Sequence, residues 1–589
     1  MSRPVRLVAK KHDESEELAF IPRSRQRDAW MHPVERMEVD VEESGDEVTP
    51  VENIVGSGQR TTTGPQSGAL PLLSDRKKLE EERLERQNNS HPSNPFQAPS
   101  HTPIPVIRRS ETNTLAARRF ESGQLLPTLA NYANPRADGR DAISLAEVIG
   151  LGDGSDAMLE FAILSTNHLD YAWLERHLPS ELPVIVVNAT QRQKSEAKAF
   201  RMFMNQNWVQ THPAMNKSGC FHMKFMLLFY KSGRLRVVVG TGDLCPLDWG
   251  VLENAVFIQD VFPKATSGSE DQSEFAAVLE STLKAINVEP ALEEMRRTHR
   301  DIPLQKLSML STSWNWQHVR AALVPSIAGE YHGWTQIQQQ GHPRLASALD
   351  AMKLTDKPHR LSMECGGSSI PFYQRSWTNE FFASASGGYE DLRSHMKRPE
   401  DERETLEYPE QVKIVYPTQR TVMESGGHGA GSLHCIRRHW AKSNAKEGVV
   451  FPRHLFHDCE SKAGTTLMHT KMIVASFTKG SPAGWTYVGS HNFTPSAWGK
   501  MSGTRKSPIL TINNFELGVV FPVQTSEELD ALSAWERPVR KYSGNDAPWI
   551  SSENRDLGEL NQKLYGCGSC CKYSEDDEGT RKFSSRTTK

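Results

Sequence analysis

Cysteine is scarce, with eight residues in a chain of 589. That is too few for a disulfide scaffold, and their scatter suits a reducing compartment. Long apolar runs are missing too, and none approaches the roughly 20 residues that a membrane helix requires. The opening MSRPVRLVAKKHDESEEL is charged and has no apolar stretch of the kind a secretory signal carries. Neither sign of charge dominates. The 69 Lys+Arg against 72 Asp+Glu give a net charge of −3, so a grip on nucleic acid has to come from a local patch. Hydrophobic residues make up 37% of the chain and the mean hydropathy is −0.55, low for a chain folded throughout. Secreted, membrane-spanning and collagen-like classes are thereby excluded. The expectation is a soluble intracellular protein with part of its length disordered.

The polar composition is concentrated at the start. Residues 35–47 are acidic, residues 56–68 are rich in Gly, Thr, Ser and Pro, and residues 75–87 read DRKKLEEERLERQ. This last run has the i,i+4 charge pairs of a short exposed helix, or simply of a solvated face. Five prolines in HPSNPFQAPSHTPIP read as linker. Such composition buries too little apolar area to offset the entropy of ordering, so residues 1–115 are expected to be disordered. Strand signals then follow: MLEFAILST, LPVIVVNA, KFMLLFY and RLRVVVG in one block, and VKIVYPT, KMIVASF, WTYVGS and FELGVVF in a second. Continuous apolar runs suit strands covered on both faces. Helix-like stretches such as LDYAWLERHL and SEFAAVLESTLKAI lie between them, so each block reads as an α/β sandwich. The expected boundaries are 116–312 for the first domain, 313–565 for the second and 566–589 for a flexible tail.

The two blocks repeat each other. GTGDLCPLDWG (residues 240–250) and GSHNFTPSAWG (residues 489–499) share the frame Gly, Ser/Thr, any, Asp/Asn, Leu/Phe, any, Pro, two of any, Trp, Gly. Each follows a His-x-Lys that opens an apolar run: His222 and Lys224 in FHMKFMLLF, His469 and Lys471 in MHTKMIVASF. Asp243 comes 21 residues after His222 and Asn492 comes 23 after His469, and the two histidines are 247 residues apart. One His-x-Lys alone carries almost no information, and a histidine beside an apolar strand is more often a packing residue than a catalyst. A framed pair marks a duplicated domain. Trp249 and Trp498 are expected to pack beneath their turns, and Pro246 and Pro495 to shape them.

Extended backbone sends residues i and i+2 to the same side, so each His and Lys should share a face, with the Gly-rich turn bringing Asp243 or Asn492 alongside. Two such half-sites facing one another would surround one pocket with two imidazoles, two ammonium groups and an amide. That set suits a phosphodiester. Lys and amide donors stabilise charge developing on non-bridging oxygens, one imidazole attacks phosphorus, and the other protonates the leaving oxygen. A covalent phosphohistidine follows, which the second His resolves by activating water. Neither metal nor cofactor is required.

At these residues the sequence resembles the phospholipase D superfamily, and within it the tyrosyl-DNA phosphodiesterase branch. The superfamily pattern is HxKxxxxD followed by a Gly-Ser-x-Asn turn. Phe229 and Ser476 stand here at the Asp position, and loss of both aspartates is the mark of that branch. Weaker resemblance runs through HLDYAWLERHLP and the GAGSL turn, from about residue 140 to 525. The resemblance implies two similar α/β/α sandwich domains related by pseudo-twofold symmetry, preceded by a disordered N-terminal extension. It implies His222 as nucleophile and His469 as general acid and then base, with Lys224, Lys471 and Asn492 on the phosphate. Glu516 falls where the family carries a Glu supporting a catalytic His, and Asn254 sits near where a Gln does so for the other half. Ser368 and Ser369, in CGGSSIPF, are candidate DNA contacts, or else an ordinary loop. The implied substrate is DNA, single- or double-stranded, with a 3′ end blocked by a topoisomerase I peptide or another adduct. The implied protein is a nuclear monomer that does not bind membranes.

One residue departs from the family pattern, which has Asn where this chain has Asp243. An ionised Asp accepts hydrogen bonds only and adds negative charge beside a negative substrate. It is either protonated, turned away to orient Lys224, or the sign of a slow enzyme. Two further readings therefore stand beside the first: an inactive DNA-binding or scaffold protein, and a lipid- or RNA-directed phosphodiesterase of the same superfamily. Against the latter count the two missing aspartates and the lack of an amphipathic membrane-binding run. Cys567, Cys570 and Cys571 form one CxxC without partners, a poor zinc set. The histidines of HLFHDCE (residues 454–460) lie near the second motif in sequence, and nothing in the sequence places them on the substrate side or off it.

Overall fold

The computed structural model describes residues 118–151, 157–189, 196–215, 219–265, 273–355, 361–435, 440 and 451–553. The chain divides into two units, Met1–Thr102 and Pro103–Lys589, and every described residue belongs to the second. The expected disorder of residues 1–115, the charged run 75–87, the tail 566–589 and the CGSCC cysteines lie outside the described residues.

Nine strands make the first sheet: β1 (Gln124–Pro127), β2 (Leu159–Ser165), β3 (Val184–Val187), β4 (Lys198–Arg201), β5 (Trp208–His212), β6 (Phe225–Tyr230), β7 (Leu235–Gly240), β8 (Ala255–Pro263) and β9 (Trp314–Asn315). Their order is β1-β8-β7-β6-β2-β3-β5-β4, with β9 paired to β8. The next strand, β10 (Ala322–Ser326), begins the second sheet. It is followed by β11 (Gly329–His332), β12 (Leu361–Gly366), β13 (Ser369–Ile370), β14 (Val412–Val415), β15 (His434–Cys435), β16 (Phe456–His457), β17 (Met472–Phe477), β18 (Gly484–Gly489), β19 (Lys500–Thr504), β20 (Ser507–Ile512) and β21 (Glu516–Val523). The second sheet runs β10-β21-β18-β17-β12-β14-β16, while β11-β20-β19 and β13-β15 form small separate sheets.

Strand for strand, the second sheet repeats the first. β1, β8, β7, β6, β2, β3 and β5 correspond to β10, β21, β18, β17, β12, β14 and β16. The directions agree as well: antiparallel from the first strand to β2 or β12, then parallel through β3–β5 or β14–β16. All six residues of β6 and of β7 are buried, as expected for runs covered on both faces.

Alternation along each strand sorts residues between layers. Phe161, Ile163, Leu227 and Val239 face a core shared with Met472, Val474, Val488 and Leu517 of the second sheet. Ala162, Leu164, Met226 and Val238 face an outer core containing Trp173 and Leu174 from the helix Tyr171–Glu175. On the far side of the second sheet, Met363, Ile414 and Ile473 pack against the helices Gly341–Ala351 and Arg375–His395 through Leu345, Leu349, Trp377 and Phe381. The fold is thus two α/β layers pressed together along their inner faces.

Where the halves meet, backbone crosses from one to the other. Phe221 bridges Phe515, and Glu253 bridges Met468. Gly219 makes the first crossing possible, because a Cβ there would lie 1.7 Å from the Asn513 carbonyl oxygen. Alongside the second crossing, Ala137 and Asp138 donate to the carbonyls of Ala463 and Lys462 at 3.0 and 3.1 Å. The Glu253 carboxylate, fully buried, takes Arg136 Nη1 at 2.7 Å on one oxygen and the Ser461 hydroxyl on the other. Burial pushes the Glu253 carboxyl above its ordinary value against the pull of Arg136.

Removing Arg136 leaves that carboxylate buried without its cation. Arg136→Leu should therefore cost about 3–5 kcal/mol in urea unfolding, a loss that shrinks as pH falls and Glu253 takes up a proton. A loss below about 1 kcal/mol would show that the pair does not hold the halves together.

Candidate active site

Both His-x-Lys motifs sit at these crossings. His222 and Lys224 were expected on a strand, but β6 begins only at Phe225, and β17 likewise begins after Lys471. The reason is that the backbone preceding each strand hydrogen-bonds to the opposite half. His222 N–H donates to the Phe515 carbonyl at 2.8 Å, and His469 N–H to the Glu253 carbonyl at 2.9 Å. Each Lys folds back on its own motif, Lys224 Nζ to the His222 carbonyl at 3.2 Å and Lys471 Nζ to the His469 carbonyl at 2.5 Å.

The imidazole partners also come from across the interface. His222 Nδ1 lies 2.8 Å from Glu516 Oε2, which also accepts from Ser490 Oγ at 2.5 Å, while Glu516 Oε1 accepts from Asn514 Nδ2 at 3.0 Å. Burial raises the Glu516 pKa, but the His222 ring, then His491 and the Ser490 hydroxyl, outweigh it and hold the carboxyl down to about 2. His469 Nδ1 lies 3.1 Å from Asp248 Oδ2, in the helix Pro246–Gly250 of the first half. Burial lowers the His469 pKa, and Asp248 opposes that shift.

Asp248 corrects the reading of Asn254 as the support of a catalytic His. Asn254 follows Glu253 as Glu516 follows Phe515, so the two are positional equivalents. The Asn254 side chain instead accepts from Thr241 Oγ1 at 2.7 Å and donates to the Asp248 carbonyl at 3.0 Å. It is buried, with its side chain bonded into the Gly-rich turn. The signal for Asp248 was present in the repeat: the position before the framed Trp is Asp248 in one copy and Ala497 in the other.

Asp243 and Asn492 occupy equivalent places. Asn492 Oδ1 accepts the N–H groups of Ser368 and Ser369 at 2.8 and 3.1 Å and the Ser368 hydroxyl at 3.3 Å. These donors fix the amide so that its nitrogen is the group left for a ligand. Asp243 Oδ1 accepts the N–H groups of Asn167 and His168 at 2.8 and 3.0 Å and Thr166 Oγ1 at 2.9 Å, and lies 3.3 Å from Lys224 Nζ. Asp243 Oδ2 is then the counterpart of the Asn492 amide nitrogen. Burial raises the Asp243 pKa, yet Lys224, His222, the His168 N–H and His469 hold it below the ordinary carboxylate range. Of the three explanations for Asp243, protonation therefore falls, and orientation of Lys224 has its contact.

Ser368 and Ser369 lie beside the second half-site. Their N–H groups position Asn492, and the Ser368 hydroxyl turns toward Asn492 rather than toward open solvent. The HLFHDCE histidines belong to the edge of the second sheet. His457 Nδ1 meets the Leu455 carbonyl at 2.9 Å in β16, and His454 packs edge-on against Tyr408. Trp249 and Trp498 are buried beneath their turns.

The two half-sites act on one another as a single electrostatic unit. Burial and the nearby charge of Lys224 lower the Lys471 pKa to about 7, against the pull of Asp248, Asp243 and Glu516. Lys471 Nζ also reaches the Thr241 carbonyl at 3.3 Å, across the interface. Two cations, an amide nitrogen and two carboxylate-backed imidazoles so converge on one place, which can hold a phosphate and move protons on either side of it.

Residues 126–563 match the family model described as Tyrosyl-DNA phosphodiesterase. The chain is similar to Tyrosyl-DNA phosphodiesterase 1 of Arabidopsis thaliana, 24% identical over 442 residues that cover 71% of this chain and 66% of that one. It is similar also to the probable tyrosyl-DNA phosphodiesterase of Caenorhabditis elegans, 22% identical over 487 residues, 78% of this chain and 96% of that one. A crystal structure of the yeast tyrosyl-DNA phosphodiesterase aligns with 73% of this chain and 100% of its own, at 14% identity and a TM-score of 0.48.

Two substitutions test the electrostatics. Asp243→Asn removes a negative charge from the phosphate pocket. It should preserve or raise turnover and tighten inhibition by inorganic phosphate by up to about tenfold. A large loss of turnover would mean that the carboxylate is needed to hold Lys224. Asp248→Asn removes the charge that keeps a proton on His469, so the His469 pKa falls further. The alkaline limb of the kcat profile should then move to lower pH by about one unit, and an unmoved limb would separate Asp248 from proton transfer.

Proposed function

The chain belongs to the tyrosyl-DNA phosphodiesterase family, and on that premise we propose that it hydrolyses the bond between a DNA 3′-phosphate and the tyrosine of a topoisomerase I peptide, or another 3′ adduct, as a DNA-repair enzyme. The observation that carries this reading is the pair of imidazoles, each bound through Nδ1 to a buried carboxylate of the opposite half, beside two lysines and an oriented amide. A carboxylate on Nδ1 selects the tautomer in which Nδ1 holds the proton and Nε2 is free to react.

The chemistry follows from that geometry. His222 Nε2 attacks phosphorus, an N–P bond forms, the bond to the leaving oxygen breaks, and protonated His469 supplies that oxygen with its proton. Lys224, Lys471 and the Asn492 amide meet the charge on the non-bridging oxygens. Water then attacks phosphorus and passes a proton to His469. The N–P electron pair returns to His222, leaving a 3′-phosphate. Burial lowers the proton affinity of both His469 and Lys471, and an arriving phosphodiester offsets this with its own charge.

The DNA, single- or double-stranded, would be held through its phosphates and so bind less tightly as salt rises. The protein would act as a monomer in the nucleus. One observation favours a second reading, a slow or inactive DNA-binding protein: Asp243 is ionised where an amide would serve the phosphate better.

Turnover of a 3′-phosphotyrosyl oligonucleotide in EDTA separates the two. Wild type should release a 3′-phosphate product, and His222→Ala should lose at least about a thousandfold. His469→Ala should slow the reaction and leave protein covalently joined to DNA. DNA bound without product would move the weight to the inactive reading.

A further inference from the structure

Asp243 and Asn492 share a setting and differ in what they can offer a phosphate. Each stands at the same place in its copy of the turn, and in each Oδ1 is held by two consecutive backbone N–H groups and a hydroxyl. The remaining atom is therefore aimed alike in both halves. In Asn492 it is a donor nitrogen, and in Asp243 it is Oδ2, an acceptor. Among the described residues nothing donates to Oδ2, although the Asp243 side chain is almost fully buried.

Hydrogen bonds and an ion pair tie this carboxylate to both half-sites. Lys224 Nζ lies 3.3 Å from Asp243 Oδ1 and donates to the His222 carbonyl at 3.2 Å. On the other side, Asp243 N–H donates to Asp248 Oδ2 at 2.6 Å, the same oxygen that meets His469 Nδ1 at 3.1 Å. The charged and titratable groups facing Asp243 are thus Lys224, His222, His469 and Asp248, with Lys471 in electrostatic reach. Lys224 has a carboxylate at ion-pair distance, whereas Lys471, among the described residues, has none. One of the two lysine charges is therefore already matched before a phosphate arrives.

A diester and the product of its hydrolysis differ in the property that Oδ2 would sense. The diester carries one negative charge. The 3′-phosphate carries two above its second pKa of about 6, and below it carries one charge and a P–OH. An amide nitrogen can donate to either. A carboxylate oxygen repels the dianion and accepts from the P–OH.

We propose that Asp243 selects the charge state of the phosphate this site retains: a singly charged phosphate is held, the dianionic product is expelled, and the product binds only when protonated, its P–OH donating to Oδ2. This rests on the phosphodiesterase reading above. Asp243 is then a specificity residue for diester over monoester ends.

The test is equilibrium binding of the full chain to two oligonucleotides, one ending in a 3′-phosphate and one in a 3′-methylphosphonate. The methylphosphonate keeps a single charge and no P–OH across the range, and the ratio of the two dissociation constants cancels contacts to the rest of the DNA. For wild type the phosphate end should bind about tenfold more weakly than the methylphosphonate end near pH 8, and at least as tightly near pH 5.5. In Asp243→Asn the phosphate end should be the tighter ligand near pH 8. A wild-type preference for the phosphate end near pH 8, or a wild-type ratio that does not change with pH, would overturn the proposal without recourse to the variant. The same ratio in both proteins would overturn it too. Wild type that binds neither end and releases no tyrosine from a 3′-phosphotyrosyl oligonucleotide would overturn the phosphodiesterase reading and the proposal with it, whereas turnover with the wrong ratio overturns only the role of Asp243.

Discussion

The histidine of each His-x-Lys motif is held by the half of the molecule to which it does not belong. The His222 backbone hangs on Phe515 and its ring on Glu516, and the His469 backbone hangs on Glu253 and its ring on Asp248. Much else follows from this exchange. The strands β6 and β17 start late because the residues before them are committed across the interface. Gly219 has to be glycine because the crossing chain passes too close for a side chain. Glu253 is buried with Arg136 and Ser461 because its carbonyl holds His469. Neither half could present a working imidazole alone.

Such an arrangement suits chemistry that exchanges acid and base roles between two groups. Pseudo-twofold symmetry places equivalent imidazoles about one phosphate, and small departures from symmetry make them different. Glu516 is a glutamate directly beside His222, with Ser490 and Asn514 as further donors. Its positional equivalent is an amide, Asn254, and the charge instead comes from Asp248 within the turn helix. Asp243 against Asn492 is a second departure. The duplicated scaffold supplies position, and the unmatched residues assign each side its task.

Stability and function compete in this interface. Buried lysines, carboxylates and imidazoles are expensive unless each is paired. Lys471 shows the strain, its proton affinity reduced by burial and by Lys224 to where it titrates near neutrality. The apolar core shared by the two sheets, from Phe161 and Leu227 to Val474 and Leu517, offsets that cost by fixing the halves face to face.

Much was legible in the chain itself. Apolar runs such as KFMLLFY and KMIVASF marked buried strands, and the repeated Gly-Asp/Asn-Pro-Trp-Gly frame marked the duplication. The His-x-Lys pairs marked the chemistry, because local periodicity and paired motifs depend only on neighbours in sequence. The small sheet β11-β20-β19 and the helical stretch Arg375–His395, broken at Gly388, were not anticipated, since neither announces itself by a continuous apolar run. The family resemblance pointed to Asn254 as the support of a catalytic His, a statement about alignment along the chain. The partners that matter are far apart, 294 residues for His222 and Glu516 and 221 for His469 and Asp248. Hydrogen bonds of that span form only when two folded layers meet. The residue types and their chemistry were therefore determined by the sequence alone, whereas which carboxylate supports which imidazole was decided by the tertiary structure.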